Sequence, residues 1–200
     1  MSKINAICVY CGSSPGTDPA FAEAARGFGK ILAENGVRLV YGGGSIGLMG
    51  AVAGSAIEHG GAATGIIPEF LTAKERPRRL AQEQIVTRDM HERKRIMFDR
   101  ADAFVALPGG VGTLEELVEQ MTWAQLGRHK KPILLANIKG YWDPLLTLVD
   151  HMRTQEFLPA LPRVDCLVAD RVEDILPKLR DAVRDVTDAE KRMAVPAERM

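Results

Sequence analysis

Two hundred residues suit one domain with a substantial buried core. Hydrophobic residues make up 46%, charged residues 26%, and 26 basic residues balance 26 acidic ones. That balance excludes a disordered chain and the broad positive field of a nucleic-acid binder. No apolar run reaches the roughly 18–20 residues that cross a bilayer. The opening MSKINAICVYCGSS lacks a signal-peptide pattern. A cytoplasmic protein with neither membrane nor nucleic acid as a partner is therefore expected.

Seven short runs rich in Val, Ile and Ala read as strands: Ile4–Tyr10, Arg38–Tyr41, Ala63–Ile67, Gln84–Thr87, Ala103–Leu107, Pro132–Ile138 and Leu167–Ala169. Several are apolar on both faces, as strands covered by helices on two sides must be. Helix-period stretches lie between them. Asp18-Pro19 opens the first with a capping residue and a proline, and Asn35-Gly36 closes it. Ser45 is placed to cap a second helix, which ends at His59-Gly60-Gly61. Met90–Arg100, Thr113–Leu126, Trp142–Arg153 and Val172–Val183 read as later helices. The alternation predicts an α/β fold: a doubly wound, mostly parallel sheet in a single domain over residues 1–184. The segment 185–200 reads as a charged C-terminal tail outside the core. The basic run KERPRR, Lys74 to Arg79, reads as a solvated loop or helix start.

Three cysteines are an odd count, and Cys8 and Cys11 form a CxxC. Redox or metal chemistry is one reading. The structural reading is favoured, because no second CxxC or His pair completes a zinc set, and a loop rather than a helix follows Cys11. No metal is expected.

In an open parallel sheet, ligands sit beyond the carboxyl ends of the strands. Three loops expected there are glycine-rich: Cys11-Gly12-Ser13-Ser14, Gly42-Gly43-Gly44-Ser45, and Pro108 to Thr113. In the third, Gly109-Gly110-Val111-Gly112-Thr113 lets backbone N–H groups converge on an anion at a helix start, and Thr113 adds a hydroxyl. The second, YGGGSIGLMG, is a loose dinucleotide fingerprint without the acidic residue that a ribose needs. It admits either close approach of a small ligand or tight helix–sheet packing. In DMHERKRIMFDR, Arg93 and Lys94 stand near a helix start, either as solvated surface or as part of a site.

PGGVGTLEE (residues 108–116) matches the PGGxGTxxE motif of the LOG ("Lonely guy") family. These are cytokinin riboside 5′-monophosphate phosphoribohydrolases, often mislabelled lysine decarboxylases. CVYCGSSPG, YGGGSIGLMG, DMHERK and EQMTWAQLG resemble other family segments, so the likeness spans most of the chain. It implies hydrolysis of an N-glycosidic bond, taking a nucleoside 5′-monophosphate to free base and ribose 5-phosphate. Some bacterial relatives also accept AMP. It implies a modified Rossmann sheet, at least a homodimer with sites near the interface, and no cofactor. The family's catalytic arginine and glutamate map onto Arg93 and Glu116. Substrate contacts map onto Lys94, Gly110, Val111, Gly112, Thr113 and Thr122, with Leu114 and Glu115 in the same stretch. Ser14, Gly43 and Gly44 of the other two loops, and a glutamate near Glu75, complete the expected substrate-binding set.

An anion cradle followed at once by Glu115 and Glu116 makes sense if the two serve different ends of one ligand. One helical turn advances about 5.4 Å, roughly the reach from a 5′-phosphate toward the sugar ring. Glu115 also has a plainer role in the first turn, stabilising the helix dipole. Two rival functions remain: a carrier that binds a nucleotide or molybdenum cofactor without reacting, and a pyridoxal-phosphate decarboxylase. The second would need a lysine at the cradle, and Lys94 is its only obvious candidate.

Overall fold

The computed structural model describes residues 4–72, 81–158 and 166–183. Glu75, the KERPRR run and the predicted tail from 185 lie outside the described residues. Strands β1 (Ala6–Tyr10), β2 (Arg38–Tyr41), β3 (Ala63–Pro68), β4 (Glu83–Thr87), β5 (Ala103–Ala106), β6 (Ile133–Ala136) and β7 (Leu167–Ala169) form one sheet. Its order is β4-β3-β2-β1-β5-β6-β7, and every neighbouring pair is parallel. The sheet is thus wholly rather than mostly parallel among the described residues. Helices α1 (Pro19–Glu34), α2 (Gly47–Glu58), α3 (Glu69–Thr72), α4 (Met90–Asp99), α5 (Val111–Gln125), α6 (Asp143–Thr154) and α7 (Ile175–Ala182) complete it.

Residue alternation builds two cores. Ile7, Val9, Val105 and Leu134 face α1, α2 and α7, whereas Cys8, Tyr10, Phe104 and Leu135 face α4, α5 and α6. A strand covered on both sides has no polar face to show, which is why its sequence does not alternate. The chain winds outward from β1 to β4, then returns to β5 beside β1. That reversal leaves a crevice at the carboxyl ends of β1 and β5, the usual ligand position in such sheets.

Helix α1 starts as its sequence dictates: the Asp18 carboxylate accepts from the Ala20 N–H at 2.9 Å, and Pro19 follows. Helix α2 does not. Its cap position is Ile46, not Ser45, and no side chain caps it. Instead the Gly12 carbonyl, from the loop after β1, accepts from the N–H groups of Leu48 (3.0 Å) and Met49 (3.3 Å). A capping rule reads neighbours in sequence, and here the acceptor comes from another loop. Gly47, at φ 61°, lies so close to the Ser13 backbone that a side chain would collide with it. Helix α5 starts at Val111, two residues before the expected Thr113, because extended Gly110 serves as the cap. The predicted 172–183 helix is a 3-10 turn (Val172–Asp174) followed by α7, and the four-residue α3 was not foreseen. Among the described residues, no helix is long and apolar enough to cross a membrane.

Behind α5, His129 fixes the helix's carboxyl end. Its Nδ1 accepts from the Lys131 N–H at 3.1 Å, so Nε2 carries the proton and donates to the Gln120 carbonyl at 3.2 Å. Burial pushes this imidazole down from 6.5 to about 4. The unfolded chain gains the proton as pH falls through 6.5, while the folded chain resists until about 4. Stability should therefore fall between those values. Thermal melts at pH 7.5 and 5 should show the drop, and His129→Phe, which keeps a ring in the aromatic cluster, should flatten it.

Candidate active site

Only one of the three glycine loops presents an open helix start. The N–H groups at the start of α2 are occupied by the Gly12 carbonyl. At α5 the first intrahelical bond runs from the Leu114 N–H to the Gly110 carbonyl at 3.0 Å. The N–H groups of Val111, Gly112 and Thr113 lie ahead of it, where a helix has no partner of its own to give. Gly110, Val111 and Gly112 are exposed, and no acidic residue stands in this first turn. Thr113 is buried against Gly109, where any side chain would strike its hydroxyl. The two loops at the crevice are joined by the Gly12 N–H, which donates to the Pro108 carbonyl at 3.0 Å. The result is a rigid, positively polarised cradle of anion-binding type.

Three residues beyond Thr113, about 4.5 Å along the axis, Glu116 turns inward and is buried. Its partner is Arg93 on α4, with Nη1 at 2.9 Å from Glu116 Oε1. The pair is an ion contact rather than an aligned hydrogen bond, since no donor points at that oxygen. Arg93 is itself fixed: its Nε donates to the Ile66 carbonyl at the end of β3 (3.1 Å), and Nη1 rests 3.8 Å from the Met90 sulfur. Gly42 at the end of β2 makes the space, because a side chain there would collide with the guanidinium. Helix α4 is held in place by the Asp89 carboxylate, which accepts from the Glu92 N–H at 2.8 Å. Burial raises the Glu116 carboxyl above the ordinary glutamate value, and Arg93 opposes that rise without cancelling it.

Lys94 makes a second cluster beside the first. Its Nζ lies 2.5 Å from Glu115 and 3.0 Å from Glu119. Burial alone would lower the ammonium, but the two carboxylates outweigh it and hold Lys94 above the ordinary lysine value. Glu115 and Glu119 thus lock α5 to α4; because the helix starts at Val111, Glu115 lies beyond the first turn in which it was expected to stabilise the dipole.

The structure brings Arg93, Lys94, Glu115 and Glu116 together beside the Gly110–Thr113 cradle. Leu114 is drawn away: its N–H serves the helix and its side chain packs on the sheet. Ser14 is exposed, and its hydroxyl accepts from the Gly16 N–H in its own loop at 3.4 Å. Gly43 packs against Ile66 and Ile67, and Gly44 is buried. That favours the packing reading of the second loop. Thr122 lies nine residues past Thr113, about 13.5 Å down the helix, and its hydroxyl donates to the Val118 carbonyl. The sequence reading missed Gly42 as the space-maker for Arg93 and the Ile66 carbonyl as its seat. The first was within reach, as the first glycine of a run after a strand; the second needed the sheet order. Cys8 and Cys11 are both buried free thiols, and burial pushes the Cys8 thiol far up, which leaves it unreactive. Among the described residues, no group of three or more His, Cys, Asp or Glu is placed to hold a metal ion.

Removing one partner of a buried pair strands the other's charge. Arg93→Ala should lower stability by about 3 kcal/mol at neutral pH. Adding Glu116→Leu should recover most of the loss. Urea unfolding of the three proteins checks this; equal losses for the single and double variants would contradict the coupling.

A family model described as "possible lysine decarboxylase" matches residues 49–179. The cytokinin riboside 5′-monophosphate phosphoribohydrolase LOG7 of Arabidopsis thaliana is 45% identical over 181 residues, covering 90% of this chain and 83% of that protein. The cytokinin riboside 5′-monophosphate phosphoribohydrolase of Rhodococcoides fascians is 41% identical, covering 87% of this chain and 88% of its own length. Among solved structures, a molybdenum cofactor binding protein from Rippkaea orientalis superposes with a TM-score of 0.68 at 22% identity, over 92% of this chain and 100% of that one. That last likeness concerns the fold alone. With relatives this similar along nearly the whole chain, and a family model covering more than half of it, the protein belongs to the LOG family, whose model carries the lysine decarboxylase description.

Proposed function

We propose that this chain hydrolyses the N-glycosidic bond of cytokinin riboside 5′-monophosphates, and of AMP, to the free base and ribose 5-phosphate. The observation that carries the reading is the buried Arg93–Glu116 pair one helical turn behind an open helix start. The N–H groups of Gly110 through Thr113 take the phosphate, and the ribose then reaches toward Glu116. As the bond between C1′ and the base nitrogen breaks, the base leaves with the electron pair and the sugar becomes cationic. A carboxylate facing that carbon stabilises the transition state more than the neutral substrate. Water adds its oxygen to C1′. Its lost proton passes to Glu116 and from there to the departing base nitrogen, which restores the carboxylate. Arg93 keeps Glu116 ionised and aimed. Phosphate anchoring holds the ribose in place, so binding energy lowers the chemical barrier.

The same reading makes the protein a homodimer or larger homo-oligomer. Val111, Val118, Thr122 and Leu126 share one exposed face of α5. A second copy packed there would cover apolar surface and bring Thr122 to a shared site. Free thiols suit the reducing cytoplasm. A pyridoxal-phosphate decarboxylase needs a neutral lysine amine, and Lys94 is held charged by Glu115 and Glu119. A carrier would have no use for a buried carboxylate beside its anion cradle.

Purified protein incubated with AMP, or with isopentenyladenosine monophosphate, should release free base and ribose 5-phosphate. Faster release from the prenylated nucleotide marks a cytokinin nucleotide hydrolase, release from AMP alone marks an AMP nucleosidase, and tight binding without release favours a carrier. Glu116→Gln should retain nucleotide binding and lose roughly 100-fold or more in kcat, in the range of removing a catalytic acid–base group. Turnover near that of the parent would remove Glu116 from the mechanism. Because the Glu116 carboxyl is raised, kcat should fall on the acid side with an inflection above 4.5, and that limb should vanish from the residual activity of Glu116→Gln.

A further inference from the structure

After β6 the chain enters a 3-10 turn, Ile138–Gly140, in which both Lys139 (φ 56°) and Gly140 (φ 71°) adopt left-handed backbone. Lys139 carries a side chain, so this conformation is strained and persists only when neighbours enforce it. They do. The Asn137 side chain accepts from the Trp142 N–H at 2.8 Å and donates to Asp143 at 2.9 Å and Asp170 at 3.2 Å. The Trp142 indole N–H donates to the Ala106 carbonyl, the last residue of β5, at 3.1 Å. The turn is thereby fastened to the strand that carries the cradle.

What this construction delivers is Tyr141. Its hydroxyl donates to the Gly109 carbonyl at 2.5 Å, across 32 residues of sequence. Its ring is seated edge-on against Phe21 of α1 (centroids 5.5 Å) and against Trp142 (5.1 Å). A trans peptide is planar, so the Gly109 carbonyl and the Gly110 N–H point in opposite directions. Holding the carbonyl on the Tyr141 side aims the Gly110 N–H to the other. Were that peptide to turn over, its carbonyl oxygen would face any bound anion and repel it. Gly110 has no side chain to resist such a turn.

We propose that Tyr141 is the positioning residue of the anion cradle: by gripping the Gly109 carbonyl it fixes the peptide whose N–H meets the substrate's phosphate. The inference rests on the reading of the cradle as a 5′-phosphate site. Tyr141 acts through the backbone of Gly109 and Gly110, so its loss should weaken phosphate recognition more than the chemical step.

The test is Tyr141→Phe, which keeps the ring against Phe21 and Trp142 and removes only the hydroxyl. One hydrogen bond of ordinary strength corresponds to roughly a fivefold effect. The KM for nucleoside monophosphate and the inhibition constant of inorganic phosphate, as a competitive inhibitor, should both rise by about that factor, with kcat changing less than KM. Unchanged constants for nucleotide and phosphate overturn the proposal, as does a lower kcat at unchanged KM. If Tyr141→Phe does not fold, Phe21→Leu takes its place. It loosens the ring's seat and should raise the phosphate constant in the same direction, and an unchanged constant is again fatal. Should the parent protein neither hydrolyse a nucleoside monophosphate nor be occupied by phosphate, the function proposed above falls first. A parent that turns over normally beside an indifferent Tyr141→Phe removes Tyr141 alone.

Discussion

A carboxylate removed from water must be paired, and the pairing of Glu116 with Arg93 organises this end of the molecule. Burial raises the Glu116 carboxyl above its ordinary value; the guanidinium 2.9 Å away opposes that rise. To reach it, Arg93 needs α4 capped by Asp89, a carbonyl at the end of β3, and a glycine at the end of β2. Groups from strand β3, the loop after β2, α4 and α5 thus converge on one ion pair. A second cation, Lys94, holds the two neighbouring glutamates, so the five charges form a pair and a triad rather than one diffuse cluster. The carboxylate proposed for the chemistry is inside, and those that lock the helices stand nearer the surface.

The glycine loops divide the labour. The first closes the start of α2 with its own carbonyl and braces the third through the Pro108 carbonyl. The second leaves space for Arg93 and packs on β3. Only the third opens onto a helix start whose first N–H groups lie ahead of the first intrahelical bond. Similar glycine content therefore serves capping, clearance and the proposed anion recognition, and the hydrogen bonds rather than the composition distinguish them.

The strands could be read from sequence because burial on both faces writes itself as unbroken apolar runs such as Ile7–Tyr10 and Ala103–Ala106. Helix α1 was legible because its cap, Asp18, is local. The start of α2 was not, since Gly12 lies far back in the chain. Arg93, Lys94 and Glu116 were singled out by resemblance to a family motif; spacing alone favoured a solvated surface place for Arg93. The Ile66 carbonyl and Tyr141 escaped because each matters only through the order of the strands. That order places β3 near α4 and β6 near the cradle. Leu114, inside the motif, points elsewhere because a helix turns each residue about 100° from the last, and Thr122 lies about 13.5 Å further down the helix than Thr113.

The central claim is that one ligand spans the cradle and the buried pair, phosphate at the helix start and anomeric carbon at Glu116. A crystal structure with ribose 5-phosphate bound tests it most directly. The account predicts the phosphate against the N–H groups of Gly110 through Thr113 and C1 facing the Glu116 carboxylate. A phosphate seated on Arg93, or a sugar turned away from Glu116, would contradict it.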